Sequence, residues 1–335
     1  MGKCWTRSAR AALAAALVGG GLIARPAVAD ENGVSFWLPG IYGTLAAVPN
    51  PAPGFSFTTF NYYDSVSTVR NVDLGGGNHV ATGVNASADL QYVFPSYAFA
   101  TPALGGQLAV GMFGFAGSNT TSAYATFMGP GGSSSTARSS ATLFSYGDLA
   151  PVVTLKWGSQ APNFFMTYLA GAIPVGSYEA GRLNVFGIGH GAIDGGAGYS
   201  YFDGVNGVSA VAGLTYNFIN PNTQYQNGID AHLDLSGVHF LVPNFFFIGA
   251  VGYVYDQLTA DSGRGATLGS FKSRVAGVGP QLGFVFPVDG LIGYLTLKGY
   301  SEFDARDRAS GYNLWLTFTL TPAPPAAPAP IVAKY

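Results

Sequence analysis

A single cysteine, Cys4, stands near the start of the chain, so a disulfide framework is excluded and thiol chemistry has no residue beyond that position. Charge is also scarce, at 10% of residues, and no basic cluster of the kind that binds nucleic acid is visible. Although 48% of residues are hydrophobic, no unbroken apolar stretch long enough for a membrane helix follows residue 29. Cofactor signatures are missing as well. The glycine runs "GGGNH" and "GIGHGAIDGG" lack the strand and the G-x-G-x-x-G spacing of a dinucleotide site, and "DQLTADSGRG" lacks the ligand spacing of a calcium loop. No cofactor and no metal are therefore expected.

What is present begins with a leader. Lys3, Arg7 and Arg10 precede the apolar run "AALAAALVGGGLIA", and a small-x-small site follows at Ala27-Val28-Ala29. This three-part pattern is that of a secretory signal peptide over residues 1–29, with cleavage expected after Ala29. Its loss would remove Cys4 and four basic residues, leaving 11 basic against 17 acidic residues, a formal charge of −6. At the other end, "TPAPPAAPAPIVAKY" (residues 321–335) reads as a proline-rich tail that cannot join a sheet interior.

Between these lies a body, residues 30–320, with 48 glycines, 24 phenylalanines and 19 tyrosines in the whole chain, a composition suited to strands and tight turns. Its segments alternate with period two, not 3.6. In "GIDAHLDLSG", Asp230, His232, Asp234 and Ser236 share one parity, and Ile229, Ala231, Leu233 and Leu235 share the other. "VNASADLQYVF", "VVTLKW", "LIGYLTLKGYSEFD" and "YNLWLTFTL" repeat the pattern, and turn signals such as "NPAPG", "GPGGSSS" and "FPVDG" separate the segments. Further strands are expected near 55–63, 104–115, 140–150, 162–174, 208–219, 245–258 and 273–286, while 178–207 is too rich in glycine to assign.

A soluble β-sandwich also alternates, but its outer faces must be well charged to stay dissolved. Here the polar parity carries little charge and the apolar parity recurs in almost every segment. That combination fits an all-β, antiparallel transmembrane β-barrel of up-and-down topology, with about 12 strands (10–14), apolar side chains toward lipid and polar ones toward a lumen. Tyr62, Tyr63, Tyr92, Phe94, Trp157, Phe164, Phe165, Phe245, Phe246, Tyr253 and Tyr255 are placed where interfacial girdles would lie.

The polar parity supplies the candidate lumen and solute contacts: Asp230, His232 and Asp234; Arg274 and Gln281; and Tyr294, Lys298, Tyr300, Glu302 and Asp304. Mixed charge of this kind can set the size and polarity of a pore, and Tyr294 and Tyr300 could stack on an aromatic solute. The alternative is that these groups pair across the lumen and close it, and residues 31–53 are a candidate plug. His232 beside Asp230, Asp234 and Ser236 could be read as a hydrolase cluster or a metal site. Residues two apart on a strand sit ~6–7 Å apart, too far for a direct nucleophile–base hydrogen bond, so no catalytic residue is assigned.

"TQYQNGIDAHLDLSG", "GAVGYVYDQLTADSG", "GVGPQLGFVFP" and "LKGYSEFDARDRASGYNLWLTF", taken in order, resemble the outer-membrane proteins associated with the meta-pathway of phenol degradation. "GDLAPVVTLKWG" and "YLAGAIPVGSYE" are similar to earlier strands of the same family, and the likeness runs from about Asn32 to Leu320. The resemblance implies a Gram-negative outer-membrane barrel, porin-like and not an enzyme, that admits small hydrophobic or aromatic, phenol-like compounds by passive diffusion. Its partners would be membrane lipid and lipopolysaccharide, the solute, and the outer-membrane insertion machinery, with no nucleic acid. A structural or surface-interaction barrel with a closed lumen is the alternative, and a lipid hydrolase a weaker one. One departure from the usual outer-membrane pattern is that Phe318 is followed by the proline-rich tail instead of ending the chain.

Overall fold

The computed structural model describes residues 30–324, apart from 76–77, 130–131, 159–161, 268 and 270; the leader and the tail beyond 324 lie outside the described residues. Thirteen strands follow a short 3-10 turn at Glu31–Gly33: β1 (Gly54–Gly75), β2 (Asn78–Ala98), β3 (Gln107–Met128), β4 (Ser134–Tyr146), β5 (Ala150–Trp157), β6 (Asn163–Ala172), β7 (Ala192–Phe202), β8 (Asn206–Asn217), β9 (Asp230–Val242), β10 (Phe246–Gln257), β11 (Arg274–Val288), β12 (Leu291–Arg306) and β13 (Ser310–Pro322). Every pairing is antiparallel. Twelve strands close into a ring, β1-β2-β3-β5 and on through β13 back to β1, which removes the exposed sheet edges that hydrocarbon cannot satisfy.

β4 is the strand outside the ring. β3 is long enough to serve two partners in succession, β5 along Gln107–Phe113 and β4 along Ala116–Met128. The sheet of β1–β4 therefore rises beyond the ring, since β1 pairs with β13 only as far as Ser67. Beside β4 lies the 173–191 loop, joined to it through Ser177 N–H to Tyr146 O (3.1 Å) and Asn184 Nδ2 to Ala141 O (3.2 Å). Asp148, in the break between β4 and β5, accepts from the loop's Gly176 and Ile188 N–H groups at 2.7 and 2.8 Å.

One end of the ring carries tight turns, Asp203–Val205, Pro243–Phe245 and Asp289–Gly290, together with the start of β1 and the end of β13. The opposite end carries the long 173–191, 218–229 and 258–273 connections. In outer-membrane barrels short turns are periplasmic and long loops extracellular, which orients the chain.

The faces follow the period-two rule with two corrections. On β6, β9 and β13 apolar side chains point out, as Phe165, Leu169, Leu235, Leu314 and Leu316 do, while Asp230, His232, Asp234, Asn313 and Trp315 are buried inside. These inward polar groups do not meet open water, as the alternation had suggested, because the lumen is packed. On β2 the expected faces are reversed: Leu90 and Tyr92 point inward, and Asp89 and Gln91 point out, where they bond Asn61 and Thr59. The girdle reading also needs correcting. Tyr62, Phe164, Tyr253 and Tyr255 are buried on the inward face, whereas Phe165 and Phe245 point outward. The unassigned glycine-rich stretch 178–207 holds most of the 173–191 loop, all of β7 and the first residues of β8, and β13 runs past Leu320 to Pro322, with Thr321 bonded to Ser56 at 2.9 Å.

Candidate functional site: a plugged lumen with an aromatic chamber

Residues 30–53 thread the lumen from the long-loop end to the short-turn end with little secondary structure of their own. A chain buried in that state must find partners for its N–H and C=O groups, and the polar inward parity of the wall supplies them. Asp234 accepts from Gly40 N–H (2.8 Å) and Tyr42 N–H (3.1 Å). Lys298, from β12, donates to the carbonyls of Gly40 and Ile41, and Tyr300 O–H also reaches Gly40 O at 3.3 Å. Thr44 bonds Gln281 at 2.6 Å, Ser200 accepts from Ala47 N–H at 3.0 Å, and Lys156 donates to Val48 O at 3.1 Å. Gly40 is required where it stands. Its φ is 87°, and a Cβ there would lie 2.9 Å from the Tyr300 ring.

The plug also carries Trp37, which stacks on His232 with ring centroids 3.5 Å apart and planes 13° apart. Behind the imidazole, Nε2 lies 3.0 Å from Asp194 Oδ2 and 3.2 Å from the Tyr168 hydroxyl, and Thr215 donates to the same carboxylate oxygen at 2.6 Å. Ser236, the serine nearest in sequence, is engaged by Gln281 Nε2 at 2.8 Å and Thr44 at 3.5 Å. The geometry is that of a stacking platform held rigid, not of a nucleophile activated by a base. Above it, Glu31 accepts from Tyr178 O–H (2.8 Å) and Asn220 Nδ2 (2.6 Å). Burial, then that bond and the charge of Glu31, push the Tyr178 phenol up to about 12.

Between the plug and the β1–β3 side of the wall lies a chamber of about 400 Å³. Phe36, Trp37 and Tyr42 border it from the plug, Phe60 and Tyr62 from β1, Tyr92 from β2, Phe113 and Phe115 from β3, Tyr168 from β6, Trp315 from β13, and Phe186 from the 173–191 loop. Successive rings lie nearly parallel: Phe60 on Tyr92 at 4.5 Å, Tyr92 on Phe115 at 4.6 Å, and Phe94 on Phe113 at 4.0 Å. Asp64, Asn119, Asp148 and Arg308 add a few polar groups. This is the make-up of a small-molecule pocket, mostly apolar with sparse polar points, and its size falls in the usual range. A larger concavity of about 860 Å³, lined by Val208, Ile248, Leu282, Leu297 and Leu314, is on the outer face and belongs to the lipid-facing belt.

Of the ten residues expected in the lumen, Asp230, His232, Asp234, Gln281, Lys298 and Tyr300 are buried there. All but Asp230 meet the plug directly or through one hydrogen bond. Asp230 accepts from Asn217 at 2.9 Å, and Glu302 accepts from Tyr253 O–H (2.6 Å) and Gly311 N–H (2.9 Å). Tyr294 is half-buried on the same parity toward the short-turn end. Arg274 and Asp304 pair at 2.9 Å on the extracellular rim, and at Asp304 a φ of 50° breaks the alternation that carries Lys298, Tyr300 and Glu302 inward. None of the ten borders the chamber. Its aromatic lining stood in the sequence as alternate rings in "FNYYDS", "YVF" and "FGF", with nothing to say which parity faced in.

A closed twelve-stranded ring, an apolar outer belt, and a lumen holding both a plug and an aromatic chamber define the class: a transmembrane β-barrel with the fold of an outer-membrane channel. The model of the family described as "Putative MetA-pathway of phenol degradation" matches residues 52–318, and the chain belongs to that family. Among solved structures, an outer membrane channel from Pseudomonas putida F1 shares the fold at a TM-score of 0.59 and 12% identity, covering 84% of this chain and 98% of that one. A FadL homologue from Pseudomonas aeruginosa is a looser likeness, at a TM-score of 0.38 and 12% identity over 86% of this chain and 94% of that one. A comparison with curated proteins found none that matches.

Proposed function

We propose that this protein is a channel of the Gram-negative outer membrane that admits small hydrophobic or aromatic, phenol-like compounds by passive diffusion. The observation that carries this reading is the aromatic chamber, open space lined by parallel rings beneath the extracellular loops. Family membership points the same way, and so does the channel fold. In this reading the apolar belt meets membrane lipid, with lipopolysaccharide in the outer leaflet, and the barrel is set in place by the outer-membrane insertion machinery. A solute enters from outside, leaves water for the chamber, and is held by burial and ring contacts on the order of a few kcal/mol.

Beneath the chamber the plug is hydrogen-bonded to the wall, so passage requires either movement of residues 36–48 or exit sideways past β4, along the edge covered by the 173–191 loop. Entry of radiolabelled phenol, toluene and long-chain fatty acid into liposomes bearing the purified protein tests the proposal. Uptake of the aromatics above protein-free liposomes is expected. Equal uptake with and without protein would favour the closed structural barrel, which the density of plug contacts also fits.

A further inference from the structure

At the extracellular end of the lumen the plug terminates in a cluster of buried acids. Asp30, Asp230 and Asp261 are 2%, 0% and 3% exposed. Asp261 is a hub: its carboxylate accepts from Gln257 Nε2 (2.6 Å), Gly228 N–H (3.3 Å) and the Tyr225 hydroxyl, and Asp30 N–H points to its Oδ2 at 3.3 Å. Asp30 Oδ2 accepts from Tyr255 O–H and Ser273 Oγ, each at 3.1 Å. Oδ1 of Asp30 and Oδ1 of Asp230 are buried with no hydrogen-bond partner among the described residues. Burial pushes the Asp30 carboxyl up to about 6, opposed by Arg308 and reinforced by Asp261. Three carboxylates thus share one buried cation, Arg308, whose Nη1 reaches no hydrogen-bond partner among the described residues, so the cluster is short of positive charge.

A second observation concerns the backbone of Asp30, at φ 64° and ψ 142°. An L residue inside a chain adopts that combination only with strain. A residue that begins a chain has no φ and carries no such strain. Its nitrogen is also an ammonium with three donors and, at neutral pH, a full charge, where a peptide N–H offers one donor and none. The deficit of charge is met by that chemical change, which also aims donors from the plug itself at the free oxygens of Asp30 and Asp230.

We propose that Asp30 is the first residue of the processed chain, and that its α-ammonium is bound by the Asp261 carboxylate with the free oxygens of Asp30 and Asp230, locking the plug in the lumen. The bond broken is the Ala29–Asp30 peptide, hydrolysed by an export-linked peptidase: water's hydroxyl goes to the Ala29 carbonyl carbon, water's remaining hydrogen joins the one already on the Asp30 nitrogen, and the proton released by the new Ala29 carboxyl is matched by one taken up to form the ammonium. Removal of the leader then does more than release the chain. It makes the cation that the extracellular end of the barrel is built to capture, an instance of N-terminal amine recognition within one molecule. The inference rests on the leader reading and is independent of what the channel carries.

Intact mass of the protein extracted from outer membranes is expected to correspond to a chain beginning at Asp30. In the folded protein the α-amine is expected to react with an amine-directed acylating reagent at least about tenfold more slowly than after heat denaturation, the ratio set by opening of the plug. Inserting Gly-Ser between Ala29 and Asp30 carries the ammonium ~7 Å away with the cleavage site intact. In that variant the protection is expected to vanish, and a cysteine placed by Ser35→Cys, alone in the processed chain, should be labelled from outside about tenfold faster. Asp261→Asn, with its native N-terminus, gives the same reading if the insertion is not recovered folded. A mass corresponding to any other first residue overturns the proposal, as does an α-amine equally reactive in the folded parent and both variants.

Discussion

The two sides of the lumen wall differ in what they offer the plug. From β7 to β12 the inward face carries Asp194, Ser200, Thr215, Asp230, His232, Asp234, Gln281 and Lys298 alongside Val211, Val251, Tyr253, Tyr255 and Tyr300, and between Asp234, Gln281 and Lys298 the plug is held by hydrogen bonds of defined length and direction. From β1 to β3 the inward residues are Phe60, Tyr62, Leu90, Tyr92, Phe113 and Phe115, and beside them the plug stands off and leaves the chamber. Directional bonds draw an irregular segment into contact, because each unmet backbone group would cost about 1–3 kcal/mol. Rings make no such demand and tolerate space that an apolar solute can fill. The difference between the two sides is thus a difference between a wall that grips and a wall that receives.

The sharpest way to break this contrast is Asp234→Ala. It strips two plug N–H groups of their acceptor, at a cost of about 2–6 kcal/mol. Planar-bilayer recording should then show steady conductance where the parent is quiet; a silent variant would mean that the grip lies elsewhere. Trp315→Ala attacks the seam between the two sides, since Trp315 packs on Phe60 (5.2 Å) and lies under the Lys298 ammonium (4.4 Å). A loss of ~3 kcal/mol is expected, read as a lower temperature for the gel-mobility change on unfolding.

Phe113→Ala concerns the receiving wall alone. Removing one ring from the Phe94 and Phe60 contacts should weaken aromatic solute binding by ~1 kcal/mol, about fivefold, and leave plug labelling unchanged. Tryptophan-fluorescence titration with phenol measures it, and a parallel rise in plug labelling would contradict the separation of roles. The smallest effect is expected far from both, at the periplasmic turn between β7 and β8. There hydrogen bonds from Asn206 N–H, Val205 N–H and the Asn206 amide hold the Asp203 carboxyl below its usual range. A depressed carboxyl stabilises the fold above the unfolded-state value and loses that contribution as pH falls through the folded-state value. Asp203→Ala should therefore lower the unfolding temperature slightly at pH 7 and not at all at pH 2, and an equal difference at both would remove the carboxylate from the account.

Much of this architecture was legible in the residues. The parity of "GIDAHLDLSG" places four polar side chains on one face, and the structure puts Asp230, His232, Asp234 and Ser236 together inside. Period two, low charge and recurring apolar faces separate a barrel from a sandwich because lipid and water demand different outer surfaces. What alternation cannot supply is the sign of the face when both parities are plausible. β2 shows this: "ASADLQY" has a polar parity that points out and an apolar parity that points into the chamber. A one-residue change of register exchanges the two faces, and register is decided by partners distant in sequence.

By itself, then, the sequence determined that this chain forms strands with two unlike faces, enough of them to close a ring, and that within a strand the polar residues share one face. The tertiary structure alone decided that the lumen is occupied by residues 30–53, that the polar side grips them and that the aromatic side leaves a chamber. The reason is physical. Alternation is local and is written in neighbouring residues, whereas the meeting of Gly40 with Asp234 and Lys298 joins positions 194 and 258 residues apart, and only closure of the barrel brings them within hydrogen-bonding distance.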